Sequence, residues 1–236
     1  MSEHPSVGSH LPGDRLHRDR KRTAARAATW EGLGSPAALG RRNAGGGPTL
    51  LSYFHFLWAG LAKQGQTGAI VPSQRFLIAK MIAPVPEDYE GEIVELGAGT
   101  GAFTLPLAAR CPAARVLACE LNPVLAQHCR ERLKRAGLHR RATVAAAPAE
   151  QVLGWLRERG RQPDYVLSGI PLGNFSREKV FTLITAIHQT LRDGGLYIQY
   201  QHSLLDRKKI RNCFSSLRVA PVLLNFPPAV VYYARK

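Results

Sequence analysis

The chain is short of acids. Seventeen Asp and Glu stand against 32 Lys and Arg in 236 residues, giving a net charge of +15 and a pI near 10.3. Such an imbalance argues against a cationic partner and for an anionic one, either nucleic acid or an acidic membrane surface. Cysteine is also sparse. Cys111, Cys119, Cys129 and Cys213 form no C-x-x-C pair and have no histidine at ligand spacing. We therefore expect no metal, free thiols that behave as small apolar side chains, and a reducing compartment. Long apolar runs are missing too. No stretch reaches the roughly 18 residues of a membrane span, and nothing hydrophobic near Met1 resembles a signal peptide. A cytoplasmic protein is the expectation.

Residues 1–48 lack hydrophobic periodicity and are rich in Gly, Pro, Ser, Ala and Arg, ending in Gly45-Gly46-Gly47-Pro48. They read as a disordered basic arm. The arm holds eight Lys/Arg and four Asp/Glu, so residues 49–236 keep 24 and 13 and are basic in their own right. Residues 49–86 read as N-terminal helices and a segment that covers a site or meets a membrane. Leu50–Ala62 is the densest aromatic cluster. As a helix it stacks Leu50, Phe54, Leu57 and Leu61 on one side with Trp58 beside them. Thirteen residues span about 20 Å, too short to cross a roughly 30 Å hydrocarbon core. The pattern equally suits a helix lying in a membrane interface, with Phe54, Leu57, Trp58 and Lys63 in contact, and a helix packed on the domain. Ser73 is the expected cap of a helix over Gln74–Ile82.

From residue 87 onward strands and helices alternate, which predicts a mostly parallel sheet with helices on both faces. Strands are expected at Ile93–Leu96, Val116–Glu120, Thr143–Ala146, Asp164–Ser168, Leu196–Tyr200, Val219–Leu224 and Val230–Ala234. The intervening helices are expected at Phe103–Arg110, Pro123–Ala136, Glu150–Arg159, Arg177–Leu191 and Asp206–Leu217. The most informative stretch is Glu95-Leu96-Gly97-Ala98-Gly99-Thr100-Gly101, which closes the first strand. Its glycines run G-x-G-x-G and not G-x-G-x-x-G, and no Gly-Lys-Ser/Thr follows, which speaks against dinucleotide and phosphate loops. A second acid, Glu120, ends the next strand 23 residues beyond Gly97. That is near the spacing of roughly 20 residues at which an acid meets ribose hydroxyls.

An acid, a glycine turn without lysine and a second acid resemble motif I and its companion in class I S-adenosyl-L-methionine (SAM)-dependent methyltransferases. The resemblance implies a Rossmann-like, seven-stranded, mostly parallel sheet with an antiparallel last strand, preceded by an amphipathic helix. It implies SAM as cofactor, held by Glu95, Gly97, Gly99, Gly101, Glu120, Leu121, Ala149, Glu150 and Ser168. Many members place an Asp against the adenine after the third strand. Here Ala146-Ala147-Pro148-Ala149-Glu150 leaves that role to backbone groups or Glu150.

Ser168-Gly169-Ile170-Pro171-Leu172 occupies the acceptor side. Methyltransferases acting on base amines carry an Asn or Asp there and an aromatic ring. This chain has Gly169 and Leu172, so nucleic acid is not the expected substrate. S-G-I-P-L, the fifth-strand I-Q-Y-Q-H-S and the terminal N-F-P-P-A-V-V-Y together resemble the soluble bacterial phospholipid N-methyltransferases, over residues 50–236. That resemblance implies methylation of phosphatidylethanolamine at the inner leaflet of the cytoplasmic membrane by a peripherally bound enzyme. Gly169, Ile170, Pro171, Leu172 and Arg207 would line the substrate side, and His202 and Tyr200 would be catalytic. His202 stands where the family often carries tyrosine. Histidine is a suitable acceptor for a proton that must leave the lipid ammonium. Three alternatives stay open: an ornithine-lipid N-methyltransferase, an rRNA adenine dimethyltransferase-like enzyme, and a non-catalytic SAM- or membrane-binding module.

Overall fold

A computed structural model describes residues 74–225 and 227–236. The expected arm, the Leu50–Ala62 helix with Phe54, Leu57 and Trp58, Lys63 beyond it, and the Ser73 cap lie outside the described residues. The described chain runs α1 (Gln74–Ile82), β1 (Glu92–Leu96), α2 (Thr104–Arg110), β2 (Arg115–Glu120), α3 (Pro123–Arg135), β3 (Ala142–Ala146) and α4 (Ala149–Glu158). It continues through β4 (Tyr165–Ser168), a 3-10 turn at Leu172–Asn174, α5 (Arg177–Thr190), β5 (Leu196–Gln201), α6 (Arg207–Cys213), β6 (Ser216–Val222) and β7 (Ala229–Arg235).

The seven strands form one sheet in the order β3-β2-β1-β4-β5-β7-β6. Strands β1 to β5 are parallel, and β7 runs antiparallel between β5 and β6. The central strands are apolar runs because helices cover both their faces. Ile93, Val116, Ala118, Leu167, Ile198 and Tyr233 join one core with Leu77, Ile78 and Met81 of α1 and Leu107 of α2. The Tyr233 hydroxyl donates to the Lys80 carbonyl at 2.8 Å, tying β7 to α1.

Local chemistry explains the helix ends. Asn122 accepts from the Val124 and Leu125 amides at 2.9 and 3.4 Å, and Pro123 follows it at the first helical position. Such a cap contributes about 1 kcal/mol. Ser176 does the same for α5 through the Lys179 amide at 3.2 Å. The expected boundaries differ most around β6, which runs Ser216–Val222 and not Val219–Leu224. The basic helix ends at Cys213, not Leu217, because Ser216 and Leu217 pair with Arg235 and Ala234 of β7. Phe214 turns inward between them, stacking on Tyr197 with ring centroids 5.6 Å apart. The ladder hydrogen bonds outweigh the helical pattern. Pro221 is tolerated in β6 because that strand is the sheet edge.

Strand order reverses between β1 and its two neighbours, β2 and β4, which opens a crevice beyond their C-terminal ends. At the opposite end of the sheet the polar groups are paired. Arg161 bonds Glu92, while Arg192 and the Tyr89 hydroxyl both engage Asp164. Lys236 sits 3.3 Å from Asp193.

Candidate active site

The loop after β1 is built by the backbone. Gly97, Gly99 and Gly101 have φ of 76°, 55° and 90°. The Gly97 and Ala98 amides both donate to the Cys119 carbonyl at 2.9 Å, which welds the loop to the end of β2. At Gly97 a Cβ would lie 3.0 Å from the Ile170 side chain; at Gly101 it would lie 2.4 Å from Leu105 and 2.8 Å from the Cys129 sulfur. A Cβ on Gly99 would meet nothing within 4 Å, so that residue's backbone faces open space. Arg132 of α3 reaches back and donates to the Thr100 carbonyl at 2.8 Å.

Two carboxylates flank this loop and have unlike surroundings. Glu120 is buried, and its oxygens accept from the Gly99 amide at 2.8 Å and the Asn122 amide at 2.9 Å. Each oxygen has lone-pair capacity left for a hydroxyl donor. Glu95 is fully buried, and neither of its oxygens reaches a hydrogen-bond partner. Burial pushes its carboxyl up to about 8; Thr104 pulls against this, and the Glu120 charge adds to it. An acid buried in this way can receive a cation. Burial likewise pushes the Cys119 and Cys129 thiols up to about 12, so they are inert packing groups. No cluster of metal-ligating side chains occurs among the described residues.

Across the crevice, the Gly169 amide donates to the Leu96 carbonyl at 2.8 Å. A Cβ at Gly169 would sit 2.9 Å from the backbone oxygen of Gly97. No side chain fits there unless the backbone moves. Ser168 is fully buried, and its hydroxyl accepts from the Ile170 amide at 3.2 Å, shaping the turn. Leu172, expected on the substrate side, is fully buried as well. Ile170 and Pro171 are half-buried.

Sequence reasoning missed what holds that turn. Gln199 donates to the Ile170 carbonyl at 3.0 Å and Gln201 donates to the same oxygen at 3.2 Å. Gln199 also accepts from the Tyr197 hydroxyl at 2.6 Å. Two glutamines at alternate positions of a central strand were the available sign, since polar residues buried there need partners. The opposite face of β5 carries Tyr200, and His202 follows directly after the strand. Their rings meet edge-on, centroids 5.8 Å apart, and Tyr200 also leans on Phe103 at 5.7 Å. Tyr200 is half-buried, and burial raises its pKa, which disfavours it as a proton acceptor at neutral pH. His202 is exposed, and its Nδ1 lies 2.9 Å from the Pro228 carbonyl. A carbonyl only accepts, so Nδ1 carries a proton, and in the neutral ring Nε2 is the acceptor.

The remaining expected residues are scattered around the crevice. Leu121 is exposed directly after Glu120, with Val124 exposed one turn on. Ala149 is buried at the start of α4, Glu150 is exposed beside it, and Arg207 is exposed at the start of α6.

Residues 93–195 match the methyltransferase domain family. An ornithine lipid N-methyltransferase of Singulisphaera acidiphila is 29% identical over 187 residues, covering 78% of this chain and 95% of that protein. A protein-L-isoaspartate O-methyltransferase of Magnetococcus marinus is 34% identical over 99 residues, 42% of this chain and 41% of the other. Among solved structures, a SAM-dependent methyltransferase from Agrobacterium tumefaciens superposes with a TM-score of 0.58 at 14% identity, covering 70% of this chain and 63% of its own. The 16S rRNA N2 G1207 methyltransferase of T. thermophilus, in complex with AdoMet and guanosine, gives 0.55 at 22%, covering 72% and 44%. At these identities the structural likeness is one of fold.

Proposed function

We propose that this chain is a class I SAM-dependent methyltransferase that methylates the primary amine of a membrane aminolipid, with ornithine lipid ahead of phosphatidylethanolamine. The match to the methyltransferase domain family and the shared fold support the first part. The observation that carries the choice is the likeness to the ornithine lipid enzyme, which runs through 78% of this chain. It reverses the order of lipids expected from the sequence. The backbone contact at Gly169 supports a non-base acceptor.

The residues present fit the cofactor. Glu95, buried without a partner, would meet its ammonium group. The open Gly99 backbone would follow the amino-acid portion, Glu120 would receive the ribose hydroxyls, and Leu121 and Val124 would cover the adenine ring. When bound, SAM supplies an electrophilic methyl group on a sulfonium. The chain's own work is positioning and proton removal. A lipid amine arrives as an ammonium ion and needs a free lone pair. Nε2 of His202 takes that proton, and the Pro228 carbonyl holds the ring in the required tautomer. Gln199 and Gln201 fix the Ile170 turn, which forms the wall opposite the glycine loop.

The anionic inner leaflet is the proposed partner surface, and the chain would sit on it peripherally. No helix among the described residues is long and apolar enough to cross a membrane. The test is expression in a bacterium that makes both lipids, followed by mass spectrometry of the extracted lipids. One to three added methyl groups on ornithine lipid are expected. Methylated phosphatidylethanolamine alone would restore the reverse order, and unchanged lipids would end the aminolipid reading.

A further inference from the structure

Two loops rise together beyond the sheet ends that form the crevice. One, residues 202–206, follows β5; the other, of which residues 223–225 and 227–228 are described, lies between β6 and β7. They are bound to each other and to the sheet by His202 Nδ1 on the Pro228 carbonyl and by the Tyr232 hydroxyl on the Ser203 carbonyl, both 2.9 Å. Each loop presents a leucine pair to water. Leu204 and Leu205 are 53% and 81% exposed, and Leu223 and Leu224 are 75% and 67% exposed. Single exposed leucines are commonplace, whereas four on two adjoining loops form a patch that calls for a partner.

Charge decides which partner. Beyond Asp206, Arg207 and Lys208 follow the first pair, with Arg211 one turn on, and all three are exposed. The one acid among them, Asp206, is buried and paired with Lys209 at 2.6 Å. At the other end of the sheet lie Glu92, Asp164 and Asp193. Those acids are paired with Arg161, Arg192 and Lys236, whereas Arg207, Lys208 and Arg211 stand exposed beside the leucines at the crevice end. An apolar tip ringed by unpaired cations fits the interface of an anionic bilayer, where acyl chains receive the leucines and phosphates the cations.

We infer that Leu204, Leu205, Leu223 and Leu224 form a shallow bilayer-inserting rim that seats the mouth of the crevice, with His202 at its base, on an anionic leaflet. The inference rests on the aminolipid reading of the same site, since the rim would bring a headgroup amine to His202 without lifting the lipid from the membrane.

The test uses the full chain with Cys213 replaced by Ser, the other three cysteines being buried. Leu205→Cys, Leu224→Cys and, as a control at the far end, Asp193→Cys are each labelled with a polarity-sensitive fluorophore. Vesicles of phosphatidylglycerol and phosphatidylcholine, free of aminolipid, are then added. The expected result is a blue shift and quenching by spin-labelled acyl chains at 205 and 224 but not at 193, reversed by salt. Probes at 205 and 224 that stay in water while the chain sediments with vesicles overturn the inference. So does a failure to bind vesicles, or a blue-shifted probe before vesicles are added, which would mean that another part of the chain covers the leucines. A variant with all four leucines changed to Ser gives a second readout. Methyl transfer to vesicle-borne aminolipid should fall roughly tenfold or more, with transfer to the same lipid in detergent micelles unchanged. Equal loss in both forms overturns the rim. Absence of transfer by the unaltered chain in both forms is a failure of the aminolipid reading, and the probes still judge the rim.

Discussion

Replacing Glu95 with Gln should stabilise the cofactor-free protein and cripple cofactor binding. The carboxyl is fully buried without a hydrogen-bond partner, and its pKa is pushed up to about 8 from an ordinary value of 4.5. Below pH 4.5 both folded and unfolded chains hold the proton, and the stability is fully present. Between 4.5 and 8 only the folded chain holds it, so stability falls by about 1.4 kcal/mol per pH unit. The total cost by pH 8 is on the order of 5 kcal/mol, and at pH 7 it is about 3 kcal/mol. Gln has nearly the shape of the protonated acid and no such slope. Glu95→Gln should thus match the parent near pH 4.5 and exceed it by about 3 kcal/mol at pH 7, a Tm rise on the order of 10 °C for a domain of this size. SAM should reverse the ranking, because its ammonium pairs with an ionised Glu95 and not with an amide. Calorimetric titrations of the parent at pH 6 in buffers of different ionisation heat should show a proton released on binding. Thermal melts at pH 5 and pH 8, with and without SAM, test all of this. Parallel pH slopes for parent and variant would refute the reasoning, as would undiminished SAM binding by the variant.

Other expectations follow from the same geometry. His202→Ala should lower kcat by about 10²–10⁴-fold with the KM for SAM unchanged, as removal of a proton acceptor does; steady-state kinetics would reveal a purely structural role as a shift in both. Glu120→Ala removes the acceptor for the Gly99 and Asn122 amides. It should raise the KM for SAM roughly tenfold to a hundredfold while vesicle binding, read by sedimentation, stays intact. Gly169→Ala forces a methyl against the Gly97 carbonyl. It should cost about 1–3 kcal/mol in denaturant unfolding, and Gly169→Asn should not confer methylation of adenine in RNA.

Much of the fold was legible because its strongest signs are local. The apolar strands and the three glycines each declare themselves within a few residues. The antiparallel final strand could also be expected from its proline-rich turn. The end of the basic helix could not, because Ser216 and Leu217 are drawn into a ladder by Arg235 and Ala234 some 18 residues away. The site divides along the same line. Glu95 and Glu120 are visible as acids at strand ends, but only the fold shows that one is satisfied by backbone amides and the other is not. Leu172 was expected on the substrate side from the resemblance of Ser168–Leu172 to an acceptor loop, and only the fold shows that it is fully buried. The grip of Gln199 and Gln201 on Ile170 joins residues about 30 apart, and no single stretch announces it.

The most direct test is transfer of radiolabelled methyl from SAM by the purified chain to three acceptors side by side: anionic vesicles with ornithine lipid, anionic vesicles with phosphatidylethanolamine, and ribosomal RNA. Label in an aminolipid, ornithine lipid foremost, is the expected result, together with production of S-adenosylhomocysteine. Label in RNA alone would contradict the aminolipid proposal and show that the closed space at Gly169 does not exclude a base.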